Sequence, residues 1–96
     1  MLTQQQNDMI LKYLMPYNPV SIGLFGSYAR DEQTKESDMD IMITLKNTPS
    51  LLQLVKMERE LSELLKTKVE LITEKSIQHP KLKAYIYKDF KTIYTC

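Results

Sequence analysis

The sequence predicts an α/β fold in which helices pack on a small mixed three-stranded sheet, and three observations carry that reading. Three short apolar or alternating runs, at residues 20–25, 38–45 and 69–73, have strand length and strand composition. Between and around them lie longer stretches whose apolar residues recur at helical spacing. At 96 residues the chain is near the lower end of domain sizes. Only layering helices on the sheet lets so short a chain bury a sheet face. One domain, spanning residues 1–96, is therefore expected.

The first helix opens at Thr3, which with Gln6 three residues on makes a capping box. Ile10, Tyr13, Leu14 and Tyr17 follow at i, i+3, i+4 and i+7. Pro16 and the Asn18-Pro19 pair end it. Val20-Ser21-Ile22-Gly23-Leu24-Phe25 alternates and then turns apolar, as a first strand. The only two glycines of the chain, Gly23 and Gly26, fall here, where close packing or a turn asks for them. A short helical turn is expected from Ser27 through Arg30, then a polar loop from Asp31 to Glu36. In the second strand Met39, Ile41, Ile43 and Leu45 form a wholly apolar face that should meet the helices. Thr48 is the expected cap of the next helix, with Pro49 at its first position and Leu54, Met57, Leu61 and Leu64 or Leu65 as its stripe. Lys66 and Lys68 near its end complement the helix dipole. Val69-Glu70-Leu71-Ile72-Thr73 is the third strand. Beyond His79-Pro80, a surface break, Leu82, Tyr85, Ile86 and Phe90 mark a last helix, and Thr92-Ile93-Tyr94 a short extended tail.

Chemistry concentrates at the head of the second strand. Residues i and i+2 of a strand share a face, so Asp38 and Asp40 project side by side. Like charges so placed need a cation between them, or one takes up a proton. A hard divalent metal with oxygen ligands is the usual remedy, and Mg²⁺ so held commonly also holds substrate phosphates. Gly26-Ser27 just upstream suits a phosphate cradle, because backbone N–H groups there can approach an anion. Glu70 interrupts an otherwise apolar strand. If that strand pairs beside the second, Glu70 joins the Asp38 and Asp40 face, and three carboxylates make a two-metal site.

Composition narrows the alternatives. With 13 basic against 12 acidic residues, no broad electrostatic footprint for nucleic acid is present. No apolar run approaches the roughly 20 residues that span a bilayer, and the start lacks the pattern of a signal peptide. Cys96, the only cysteine, excludes an internal disulfide and a cysteine-based metal site. A cytoplasmic location is expected. The lone His79 and the scattered tyrosines read as surface, core or rim; Tyr28, beside the cradle, is placed to flank a nucleotide base. Lysines at 81, 83, 88 and 91 give the C-terminal part a basic bias, read as a solvated helix face with a docking surface as the alternative.

Gly26-Ser27-Tyr28-Ala29-Arg30 followed by Ser37-Asp38-Met39-Asp40 resembles the signature of the minimal nucleotidyltransferases of the polymerase-beta-like superfamily. Element order and length also match, so the resemblance covers essentially the whole chain. It implies a polymerase-beta palm-like fold with two Mg²⁺ ions on Asp38 and Asp40 and with Glu70 as third acidic ligand. It implies nucleotide phosphates on Gly26 and Ser27, with Arg30 and Ser37 supporting the triphosphate or its loop. Two departures stand out: Asp31 replaces the usual glycine, and Glu70 is one methylene longer than the usual aspartate.

The resemblance implies a nucleotidyltransferase that moves a nucleoside monophosphate, AMP from ATP, onto a hydroxyl acceptor. Stand-alone members are commonly antitoxins paired with small helical HEPN toxins, whose tyrosine they adenylylate. The catalytic core uses up the chain length, so acceptor specificity should come from a partner or from oligomer contacts. A non-catalytic module that binds nucleotide or partner through a lapsed site is the alternative, kept open by Asp31 and Glu70. An antibiotic-modifying enzyme ranks last for want of an acceptor-binding domain.

Overall fold

The computed structural model describes residues 3–30, 32, 34 and 37–95. Asp31, most of the polar loop expected after the turn, and Cys96 lie outside the described residues. The elements run α1 (Gln4–Leu14), β1 (Pro19–Phe25), β2 (Met39–Leu45), α2 (Leu51–Leu65), β3 (Val69–Thr73), α3 (Pro80–Lys88) and β4 (Lys91–Thr95), with short 3₁₀ turns after α1 and β3. No helix among the described residues is long and apolar enough to cross a membrane.

The sheet is mixed, as expected, but has four strands rather than three, in the order β3-β2-β1-β4. The segment read as an extended tail is the fourth strand. It pairs antiparallel with β1, whose outer edge would otherwise expose a row of unpaired backbone groups. β1 and β2 are antiparallel, whereas β2 and β3 are parallel. A parallel pair requires a crossover, and α2 supplies it.

Strand alternation divides the side chains between two layers. Ile22 and Leu24 of β1, Met39, Ile41, Ile43 and Leu45 of β2, and Val69 and Leu71 of β3 bury toward α1 and α2. Ile10, Leu14, Met57, Leu61 and Leu65 come down on them at helical spacing. Met57 and Leu61 have no solvent exposure, so truncating either to alanine costs about 2–5 kcal/mol. Leu64, the other candidate for the stripe, is largely exposed. On the opposite face a smaller cluster joins Phe25, Met42 and Ile86, with Ile72, Ile77 and Phe90 packed beside it. This second layer is α3, and it leaves the start of β2 uncovered.

The caps explain the boundaries. Gln6 N–H donates to Thr3 Oγ1 and Thr3 N–H donates to Gln6 Oε1, both at 3.0 Å, completing the expected capping box. Asn18, in the left-handed region at φ 56°, closes the turn before β1. α2 starts later than expected: its cap is Ser50, which accepts from Gln53 N–H at 3.2 Å, not Thr48. A serine hydroxyl favours the cap over the first turn, so Ser50 displaces the Thr48-Pro49 start. His79, read as a break, caps α3 by accepting from Lys81 N–H through Nδ1.

β3 is an edge strand, and α2 covers two of its outward N–H groups. Val69 N–H donates to Ser62 Oγ and Leu71 N–H to Glu58 Oε2, each at 2.9 Å. A strand edge otherwise open to pairing is thereby closed.

Candidate active site

The register of the parallel pair sets Asp40 opposite Glu70. Both therefore project from neighbouring strands on the face that α3 covers only in part. Asp40 is half-buried and Glu70 exposed. Burial first, then a hydrogen bond and charge repulsion from Glu70, then the charge of Asp38, push the Asp40 carboxyl up to about 7, while Arg30 opposes the rise. Burial and the neighbouring Glu70 together hold the Asp40 proton well above the ordinary carboxylate range.

Gly26 closes the site from the side of β1. Its φ of 75° lies in the left-handed region, and a Cβ built on it would collide with the Asp40 carboxylate. Only glycine lets the backbone turn so tightly against that group. The following residues form one turn, with Ala29 N–H and Arg30 N–H both donating to the Gly26 carbonyl at 3.1 and 3.2 Å. The N–H groups of Ser27 and Tyr28 and the Ser27 hydroxyl find no hydrogen-bond partner among the described residues. A left-handed residue followed by a helical turn with open N–H groups is the geometry of an anion nest.

The other expected residues take distinct places. Asp38 precedes β2 and lies 3.9 Å from Lys68 Nζ. Among the described residues no group of three or more His, Cys, Asp or Glu side chains is close enough to hold a metal. Asp40 and Glu70 are thus brought together, with Asp38 at the margin. Their chemistry fits a hard divalent cation: two oxygen donors face each other from adjacent strands, and a cation between them would replace the proton that Asp40 otherwise holds. Ser37 turns to the loop, where Thr34 N–H donates to its hydroxyl at 2.8 Å and Ser37 N–H returns a bond to the Thr34 carbonyl. Arg30 ends the turn with its charge near enough to act on the Asp40 carboxyl, its Nε donating to Glu32 at 3.1 Å and its Nη1 lying 3.6 Å from Asp89. Tyr28 is buried in the α1–α2 core and does not flank a base. Lys68 was legible only as a helix-end charge, and no local pattern marks Asp89 as the partner of Arg30, so long-range pairing of charges was missed.

The layered mixed sheet with this strand carboxylate pair is the architecture of a minimal nucleotidyltransferase. The chain belongs to the nucleotidyltransferase domain family, whose profile matches residues 8–93. It is 51% identical over 73 residues to a protein of Methanocaldococcus jannaschii assigned as a protein adenylyltransferase, covering 76% of this chain and 74% of that one. It is 40% identical over 57 residues to the protein adenylyltransferase MntA of Thermococcus cleftensis, covering 59% and 58% of the two chains. Its fold matches a chain of a toxin–antitoxin complex crystallised with AMP-PNP, at a TM-score of 0.84 and 24% identity, over 94% of this chain and 73% of the other. It also matches a chain of the Shewanella oneidensis complex between a tri-AMPylated HEPN toxin and its MNT antitoxin, at a TM-score of 0.79 and 22% identity, over 97% and 72%.

Proposed function

We propose that this chain transfers AMP from ATP to a protein hydroxyl, a tyrosine of a small helical HEPN toxin, and so acts in the cytoplasm as the antitoxin of the pair. The observation that carries the reading is the Asp40–Glu70 carboxyl pair set against the Gly26 turn. The names of the relatives support AMP as the transferred group, and the fold neighbours support a HEPN partner.

Asp38, Asp40 and Glu70 would hold Mg²⁺, which when bound supplies charge neutralisation at the triphosphate and lowers the pKa of the attacking hydroxyl. The open N–H groups of Ser27 and Tyr28 bind phosphate oxygens and fix the triphosphate in line with the acceptor. The acceptor oxygen bonds to the α-phosphorus while the bond to the bridging oxygen breaks and pyrophosphate leaves. Glu70, more exposed than Asp40, takes the hydroxyl proton. Arg30 and Ser37 hold the triphosphate and its loop in place.

Incubation with Mg²⁺, α-labelled ATP and the helical partner tests the proposal. Label on a tyrosine of the partner, lost in Asp40→Asn, is the expected result. Equal labelling by Asp40→Asn and Glu70→Gln would overturn it.

A further inference from the structure

Arg30 belongs to the turn after β1, yet its side chain is held by another layer of the fold. Asp89, the residue that caps the C-terminus of α3, lies 3.6 Å from its Nη1. The Tyr85 hydroxyl adjoins the same guanidinium. Tyr85 and Asp89 are four apart, so they share one face of α3. The rotation of that helix is fixed by Ile86, which is 2% exposed and packs against Phe25 and Met42. Its end is fixed by Phe90, whose ring covers the space a Cβ on Gly23 would occupy. Glu32 holds the guanidinium from the other side through Nε. An arginine side chain has many rotamers, and each partner removes some of that freedom before a ligand arrives.

We infer that Asp89, with Tyr85, is a positioning residue that holds the Arg30 guanidinium ready for the β- and γ-phosphates of the nucleotide. The inference rests on the proposed nucleotide site. With Nε on Glu32 and Nη1 beside Asp89, the fork keeps further N–H donors for phosphate oxygens. α3 thus couples the small second layer of the fold to nucleotide affinity, and Ile86, Phe90 and Gly23 serve nucleotide binding as well as packing.

Titration calorimetry of the full chain with Mg·ATP and, separately, Mg·AMP tests this. Asp89→Ala should weaken Mg·ATP about five- to tenfold and leave Mg·AMP unchanged, because AMP has no β- or γ-phosphate for Arg30 to meet. Asp89→Glu should restore Mg·ATP binding to within about twofold. In an Arg30→Ala background Asp89→Ala should have no further effect. A role in packing alone would weaken both nucleotides alike, and in the Arg30→Ala background as well, which would overturn the inference. Wild-type-like Mg·ATP binding by Asp89→Ala would overturn it too, while leaving the nucleotide site intact. Failure of the wild-type chain to bind Mg·ATP would overturn both.

Discussion

Removing one negative charge from the carboxyl pair should stabilise the metal-free protein while abolishing its activity. The Asp40 carboxyl stands at about 7 in the fold against 3.8 for a free side chain, so the gap is about three pH units. At 1.36 kcal/mol per unit that sets a ceiling of about 4 kcal/mol. Asp40 is only half-buried, and solvent screening brings the effect to roughly 1–2 kcal/mol. Because the folded value is the higher one, the fold binds the proton more tightly than the unfolded chain. The contribution is fully present below about pH 4 and is lost as pH rises to about 7. Asp40→Asn keeps the shape and offers Glu70 an amide donor, so it should remove this slope. Urea unfolding in EDTA at pH 5 and pH 8 measures it. The variant should exceed wild type by roughly 1–2 kcal/mol at pH 8, about 5–15 °C in Tm, and by much less at pH 5. Glu70→Gln should act alike, and Mg²⁺ should raise wild type toward both variants. Equal destabilisation of Asp40→Asn at both pH values would refute the reasoning.

Three further outcomes follow from the geometry. Gly26→Ala should cost about 1–3 kcal/mol in urea unfolding, since alanine at φ 75° is strained and its Cβ meets Asp40; AMP transfer should be lost with it. Gly23→Ala should cost about 1–3 kcal/mol by overpacking against Phe90, and Phe90→Leu in the same chain should recover part of that loss. Glu58→Leu should leave the Leu71 N–H without its partner, costing about 1–3 kcal/mol and opening the β3 edge, so light scattering on warming should rise earlier than in wild type.

The local signals survived in the structure because their causes are local. Thr3 and Gln6 fix the start of α1 within four residues, and the alternation of Met39, Ile41, Ile43 and Leu45 fixes which face of β2 meets the helices. The parallel partnership that sets Glu70 opposite Asp40 was legible only as a condition: Glu70 breaks an apolar run, but pairing between β2 and β3 is a property of the sheet. The fourth strand was missed because Thr92-Ile93-Tyr94 is too short to declare itself. It becomes a strand through the free edge of β1. Thr48 failed as a cap because Ser50 competes for the same role, a contest that spacing alone does not decide. Arg30 was singled out only through the resemblance of its motif, and its partner Asp89 not at all, since the contact exists only once Ile86 has seated α3.

The division of the sheet into two faces explains how so small a protein tolerates a strained site. The face toward α1 and α2 carries most of the buried apolar side chains, including Met57, Leu61, Ile41 and Ile43, none of them exposed. Among the described residues the opposite face buries Phe25, Met42 and Ile86, with three partly covered neighbours. Strand alternation puts Asp40 and Met42 on that same face, so the carboxyl pair borders the thinner layer. Its penalty of roughly 1–2 kcal/mol falls where few packing contacts depend on it. Three Leu→Ala or Ile→Ala truncations in the α1–α2 layer would outweigh it several times over. An Asp40→Asn chain should therefore unfold in one transition with the wild-type urea dependence, shifted only in midpoint. A changed slope would mean that the carboxyl pair shapes the fold beyond its own face, contrary to this division of labour.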